Sequence, residues 1–310
     1  MLKLTRLIQS KRGFRKMYEA FFNLKHLPFE NTPDPRFFFG SEEHREALAA
    51  IEYTIRMRKG YVCITGPVGS GKTTVSRTMI SRCSDGARIV PVLHGHEDGK
   101  QLLRQILRAV EITYRASDDH AILLEKLFTF LHEQYAGGEP VVLLVDEAHT
   151  MSDSALEELR MLSNYDTNRA RLVQVVLIGE PELIQRLNQP KMASLKQRVA
   201  MVKSLRAMNI QESAAYIGHR IRMASVDPQH LQVRFPGRTL EAIFNLTHGI
   251  PRLINYVCDN CMLLASVKKE REITPVMVQT VSQDLSLNLK HNDFVSSTSE
   301  SPRLALAGNM

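Results

Sequence analysis

The run Gly66-Pro67-Val68-Gly69-Ser70-Gly71-Lys72-Thr73-Thr74 constrains this chain more than any other feature, because it follows an apolar stretch, Tyr61 to Thr65, and opens a helical one. A G-x-x-x-x-G-K-[ST] pattern in that strand-to-helix context is a phosphate cradle. Its glycines let backbone N–H groups close around a β-phosphate, and the helix N-terminus adds its dipole. Lys72 then reaches the β and γ oxygens, and Thr73 can ligate Mg²⁺. The bland alternative is a structural Gly-rich turn, and the flanking strand and helix speak against it.

Seventy-four residues after Lys72, the apolar run Val141-Val-Leu-Leu-Val145 ends in Asp146 and Glu147. Asp146 is placed to hold the Mg²⁺ shell beside Thr73. Glu147 can polarise an attacking water, the role that separates hydrolysis from mere binding. Together the two motifs predict a site for ATP or GTP. The string Asp146-Glu147-Ala148-His149 also matches a DEAH helicase box, but a helicase of that class needs two sheet domains and one fits here. An ABC subunit is disfavoured because no LSGGQ-like run occurs.

Further apolar runs at Ile89 to Leu93 and Leu172 to Ile178 read as buried parallel strands. Helical periodicity fills Glu42 to Arg58, Thr73 to Arg82, Gly99 to Val110, His120 to Tyr135 and Ser154 to Leu162. Strands separated by helices predict an α/β fold, a doubly wound parallel sheet. After about Pro190 the strand signals stop. Helices are expected at Ile210 to Ala224, Arg238 to Thr247, Pro251 to Ser266 and Pro275 to Leu285, with prolines as breaks or first-turn residues. The expected division is a basic extension over 1–16, a nucleotide-binding α/β domain over 17–207, a small all-α lid over 208–288 and a Ser-rich disordered tail over 289–310.

Charge sharpens the question of partners. The 310 residues carry a formal +7, yet residues 1–16 hold six basic side chains and no acid, leaving the rest at only +1. Residues 97–182 have 8 basic and 16 acidic side chains, whereas 186–252 have 11 and 3. A net basic charge is thus a poor reason to expect nucleic acid, and the internal split predicts head-to-tail contact between copies. Four cysteines do not make a disulfide framework and point to a reducing compartment. Cys258 and Cys261 read as buried helix thiols rather than half of a zinc site. No run approaches the roughly 20 apolar residues of a membrane span, and no apolar core follows the basic N-terminus as in a secretory signal. The expected place is the cytoplasm, with the inner-membrane surface open; residues 1–16, if they are part of the protein rather than a start assigned too early, read first as a disordered solvated tail and otherwise as a segment lying on an anionic membrane surface or nucleic acid. His94 and His96 read as a solvated loop. Phe37, Phe38 and Phe39 read either as core or as contacts to a nucleotide.

Beyond the two motifs, the chain carries Tyr18-Glu-Ala-Phe-Phe22, Pro28-Phe29, Thr32-Pro-Asp-Pro-Arg36, His44-Arg-Glu-Ala-Leu48, Gly179-Glu-Pro-Glu-Leu183, Gln197-Arg198 and Gly249-Ile-Pro-Arg252-Leu-Ile-Asn255. This ordered series, from about Met17 to about Leu285, resembles the ExeA-type (general secretion pathway protein A-like) AAA+ ATPases. The resemblance implies ATP held between neighbouring subunits of a ring or dimer. It makes Arg198 the candidate arginine finger, reaching a neighbour's γ-phosphate, and Arg252 the second sensor, reporting nucleotide from the lid. Most members have Gln where this chain has Glu180, and an ionised Glu cannot donate a hydrogen bond to phosphate or water. Members commonly continue into a membrane span and a peptidoglycan-binding domain, and nothing of that part is carried over to these residues.

The expected function is a Mg²⁺-dependent ATP hydrolase, coupled to self-association, that powers assembly of a bacterial envelope system for secretion, pilus formation or exopolysaccharide export. Two other readings stay open. One is a DNA-dependent AAA+ regulator of transposition target selection or helicase loading. The other is a nucleotide-gated scaffold with very little turnover.

Overall fold

The computed structural model describes residues 18–32, 34–92, 98–165 and 171–288. The segments 1–16 and 289–310 and the loop with His94 and His96 lie outside them. Five strands, β1 (Tyr61–Thr65), β2 (Arg88–Val92), β3 (Val141–Val145), β4 (Val173–Gly179) and β5 (Val199–Ser204), form one sheet in the order β2-β3-β4-β1-β5. Every pairing is parallel. β1, β3 and β4 are buried along their whole length, as near-continuous Val, Ile and Leu runs require when both faces of a sheet are covered.

Alternation of side chains builds two cores. Cys63, Leu143, Val175 and Leu177 pack into a layer with α3 (Gly99–Ala109), α4 (His120–Ala136) and α5 (Asp153–Leu162). Val62, Ile64, Leu144 and Val176 face the opposite layer, under α1 (Glu42–Arg56) and α2 (Lys72–Cys83). Each such fully buried side chain contributes roughly 1.5–3 kcal/mol, so two-sided burial holds the central strands in place. This is the doubly wound parallel sheet expected from the sequence.

One expectation is corrected. The sequence reading ends the strands near Pro190, but after the short helices α6 (Glu182–Leu187) and α7 (Ala193–Lys196) the chain adds β5 beside β1. β5 is an edge strand whose residues alternate between half-buried and exposed. It therefore lacks the unbroken apolar signature of a strand covered on both faces.

From Ile210 onward the described chain is helical: α8 (Ile210–Ala224), α9 (Gly237–Thr247), α10 (Pro251–Lys268) and α11 (Pro275–Asn288). The joint to the sheet is short. Leu205 N–H still donates to Thr65 O at 2.7 Å, whereas Met208 N–H already donates to Gly249 O at 3.0 Å. Gly249 has φ +74°, and a Cβ there would sit 1.8 Å from Met208 O, so only glycine fits this close approach.

The lid core also takes in a segment from the other end of the chain. Tyr18, Phe22, Leu24, Phe29 and Phe37 pack with Ile217, Ile221, Ile254 and Cys258 rather than with the sheet. Polar contacts reinforce this strap. Arg220, itself buried, donates from Nε to Pro28 O and from Nη2 to Glu30 O at 3.2 Å. A buried guanidinium is tolerated only when its donors are matched, and here backbone carbonyls and the Tyr216 hydroxyl, 2.7 Å from Nη1, match them.

Candidate active site

Gly66 to Gly71 leave the carboxyl end of β1 and turn into α2, with Gly69 and Gly71 at φ +81° and +101°. No side chain caps the N-terminus of α2, in contrast to α1, α3, α4 and α5, which Ser41, Asp98, Asp119 and Ser152 cap. The Lys72 and Thr73 amides that open α2 have no intrahelical acceptors and so are available to an anion, whereas Thr74 N–H already donates to Gly71 O at 2.9 Å. Lys72 is buried and donates from Nζ to Gly66 O at 2.8 Å and Pro67 O at 3.2 Å. Ser70 Oγ is buried with no hydrogen-bond partner. An uncapped helix and a buried ammonium in one loop fit a bound polyphosphate.

This loop floors a cleft of about 280 Å³ between sheet and lid. Of the residues expected at the site, Val68, Gly69, Gly71, Lys72, Thr73, Thr74, Glu147 and Arg252 line it. Gly66, Pro67 and Ser70 belong to the loop but do not line the cleft. Asp146, half-buried at the end of β3, does not line the cleft and holds the backbone of its neighbour, its Oδ1 accepting Glu147 N–H at 3.0 Å. Glu147 sits in the left-handed region at φ 52°, a conformation uncommon for non-glycine residues and concentrated at functional sites.

Glu147 has company. His149 Nδ1 lies 3.4 Å from its carboxylate, and His149 Nε2 lies 3.8 Å from that of Glu180. Glu180 N–H donates to His149 Nδ1 at 3.3 Å. Glu180 lines the same cleft as Glu147, so it brings a second carboxylate to the cleft. Glu180→Gln is therefore expected to raise turnover at saturating ATP about tenfold, the effect of gaining one hydrogen bond to a charged group. A rate equal to or below that of the unaltered chain would show that the carboxylate at 180 does not slow turnover.

The lid closes the other wall. Arg252 N–H, in the first turn of α10, donates to Gly69 O at 3.3 Å, and a Cβ on Gly69 would meet Arg252 Cβ at 2.8 Å. The strap supplies the rim: Asn31, Thr32 and Asp34 line the cleft with all three of Phe37, Phe38 and Phe39. Asn31 is tied to the lid through Asn255, whose Nδ2 donates to its Oδ1 at 3.1 Å. His44, Tyr216, Arg220 and Asn255 also face the cleft. Sequence reasoning missed their place in it, because they come from three separate segments and only folding brings them together. Cys258 and Cys261 are buried on α10 as free thiols.

Arg198 lies elsewhere. It immediately precedes β5, and in a parallel sheet the start of β5 is at the end opposite the loops that follow β1 and β3. Its side chain reaches Asn164 Oδ1 at 3.5 Å rather than the cleft of its own chain. The charge split is in part satisfied within the chain, since Arg186 and Lys191 both pair with Asp153.

An AAA domain model matches residues 55–187. Over 270 residues the chain is 34% identical to general secretion pathway protein A of Aeromonas hydrophila, covering 87% of this chain and 49% of that protein. The chain thus spans about half the length of this relative. Among solved structures, the ORC2 protein of Aeropyrum pernix in its ADPNP–ADP complexes superposes with a TM-score of 0.63 at 15% identity, over 85% of this chain and 72% of that one. Cdc6p from Pyrobaculum aerophilum gives 0.60 at 15%, over 87% and 70%. The Thermotoga maritima RuvB Holliday junction branch migration motor gives 0.51 at 19%, over 80% and 70%. At such identities these structures establish the fold alone. With the phosphate loop, the acidic strand end and the helical lid in one cleft, the chain belongs to the AAA ATPases and groups there with general secretion pathway protein A.

Proposed function

We propose that this chain binds ATP with Mg²⁺ in the cleft between sheet and lid and hydrolyses it at a site that a neighbouring copy completes. The observation that carries the reading is the convergence of Lys72, Thr73 and Glu147 on one cleft, with Arg198 at the far end of the sheet. In this reading the amides of Gly69, Gly71, Lys72 and Thr73, with the Lys72 ammonium, hold the phosphates. Thr73 and Asp146 would hold Mg²⁺, which neutralises charge building on the β and γ oxygens. Glu147 orients and deprotonates the attacking water. Arg252, on the lid, couples the nucleotide state to the lid, and the joint at 206–207 lets lid and strap move together against the sheet.

Likeness to general secretion pathway protein A supports a role in assembling a bacterial envelope system, for secretion, pilus formation or exopolysaccharide export, on the cytoplasmic side of the inner membrane. No helix among the described residues is long and apolar enough to cross a membrane. The test is ATP turnover as a function of protein concentration, paired with sedimentation and with Lys72→Ala as the blank. Turnover per chain is expected to rise with concentration as the chain associates, and Lys72→Ala to lose it. Turnover that rises only on addition of duplex DNA, with a steep salt dependence, would favour the DNA-dependent regulator instead. Tight ATP binding with no turnover at any concentration would favour the scaffold.

A further inference from the structure

His44 belongs to the motif His44-Arg-Glu-Ala-Leu48, which neither the phosphate loop nor the acidic strand end explains. It lies in the first turn of α1 and is buried, yet it lines the nucleotide cleft. Its Nε2 is 3.1 Å from Ser70 O, the carbonyl that precedes the left-handed Gly71. A carbonyl only accepts, so Nε2 carries the proton and donates. Nδ1 is then the acceptor, and Ser41 Oγ, 2.6 Å away, supplies the proton. Ser41 is also the N-cap of α1, its Oγ accepting His44 N–H at 3.4 Å, so the imidazole is anchored by the helix end it stands on.

The fit beneath the loop is close. A Cβ on Gly71 would meet His44 Nε2 at 2.6 Å, so the ring occupies the space a side chain at 71 would need. Phe38 packs against the ring in a T-shaped pair, with centroids 6.1 Å apart. Burial lowers the imidazole's pKa, which keeps the neutral, one-donor, one-acceptor form that the two partners require.

We propose that His44 is a positioning residue for the phosphate loop: by holding the Ser70 carbonyl back against α1, it keeps the Gly71, Lys72 and Thr73 amides turned toward the cleft before nucleotide arrives. A peptide unit carries its C=O and the next N–H on opposite sides. Fixing Ser70 O on the α1 side therefore fixes the Gly71 N–H on the other. Without His44 the loop samples other orientations, and nucleotide binding bears the cost of ordering it. The hydrogen bond favours substrate and transition state equally, so its loss falls on KM and not on kcat.

The inference rests on the cleft being the ATP site, and the test keeps the two ideas apart. ATP affinity, KM and kcat are measured for the unaltered chain, His44→Phe and His44→Gln, with thermal unfolding of each in the absence of nucleotide. His44→Phe fills the volume without either hydrogen bond, and His44→Gln places an amide donor within reach of Ser70 O. The expected result is an approximately tenfold rise in Kd and KM for His44→Phe with kcat within about threefold, and recovery of most of the affinity in His44→Gln. An unaltered chain that binds no ATP would overturn the reading of the cleft, and this inference with it. An unaltered chain that binds ATP, beside a His44→Phe variant that binds equally well, would overturn the role of His44 alone. So would an affinity loss that His44→Gln fails to recover, or one accompanied by a fall in unfolding temperature in both variants, because either marks a packing role.

Discussion

Arg198→Ala is expected to lose about a thousandfold in ATP turnover, the lower end of what an arginine supplied in trans contributes to phosphoryl transfer, while its affinity for ATP stays close to that of the unaltered chain. The reason is positional. Arg198 stands before β5, at the end of the sheet away from the phosphate loop, and its guanidinium reaches Asn164 Oδ1 at 3.5 Å. From there it cannot serve its own γ-phosphate, but it can serve that of a copy packed head to tail. Charge builds on the equatorial oxygens of the transferring group only in the transition state, so an arginine aimed at them changes rate more than binding. Mixing Arg198→Ala with Lys72→Ala gives the decisive measurement. In a shared site, a Lys72→Ala copy still lends Arg198 to a neighbour with an intact loop, and turnover reappears on mixing two inactive proteins. Two proteins that remain inactive when mixed, or an Arg198→Ala variant with full turnover at saturating ATP and protein, would show that the site is complete within one chain.

The second large effect is Glu147→Gln, for which single-turnover hydrolysis is expected to slow by about 10²–10³, within the range for loss of a positioned general base, with ATP still bound. Glu147 lines the cleft in a left-handed backbone conformation, its N–H held by Asp146 Oδ1 at 3.0 Å. A glutamine there keeps the shape and the contact with His149 but cannot accept a proton from water. Single-turnover kinetics isolate the chemical step from product release. Equal rates in the two proteins would mean that the chain turns over too little for a base to matter, which is the behaviour of a nucleotide-gated scaffold.

Much of the site was legible before folding because its chemistry is local. From Gly66 to Thr74 the loop is continuous in sequence, and Asp146 and Glu147 are adjacent, so residue type and spacing carry the message. β1, β3 and β4 were equally plain, since strands buried on both faces are written in unbroken apolar runs. β5 was not, because an edge strand alternates its exposure and borrows its pairing from β1, a neighbour remote in sequence. The strap was harder still. Phe22, Phe29 and Phe37 announce a core without saying which one, and they join the lid because Arg220 and Asn255 gather the strap backbone and the Asn31 side chain there.

By itself, then, the sequence determined the fold class, the phosphate loop with its acidic partner strand, and the family. These depend on hydrophobic periodicity and on short motifs whose atoms meet through a few bonds of backbone. Only the tertiary structure decided that Arg198 faces away from its own cleft, that Glu180 and His149 crowd Glu147, and that His44 braces the loop from 26 residues upstream. Those relations are distances between segments far apart in the chain, set by how the layers pack.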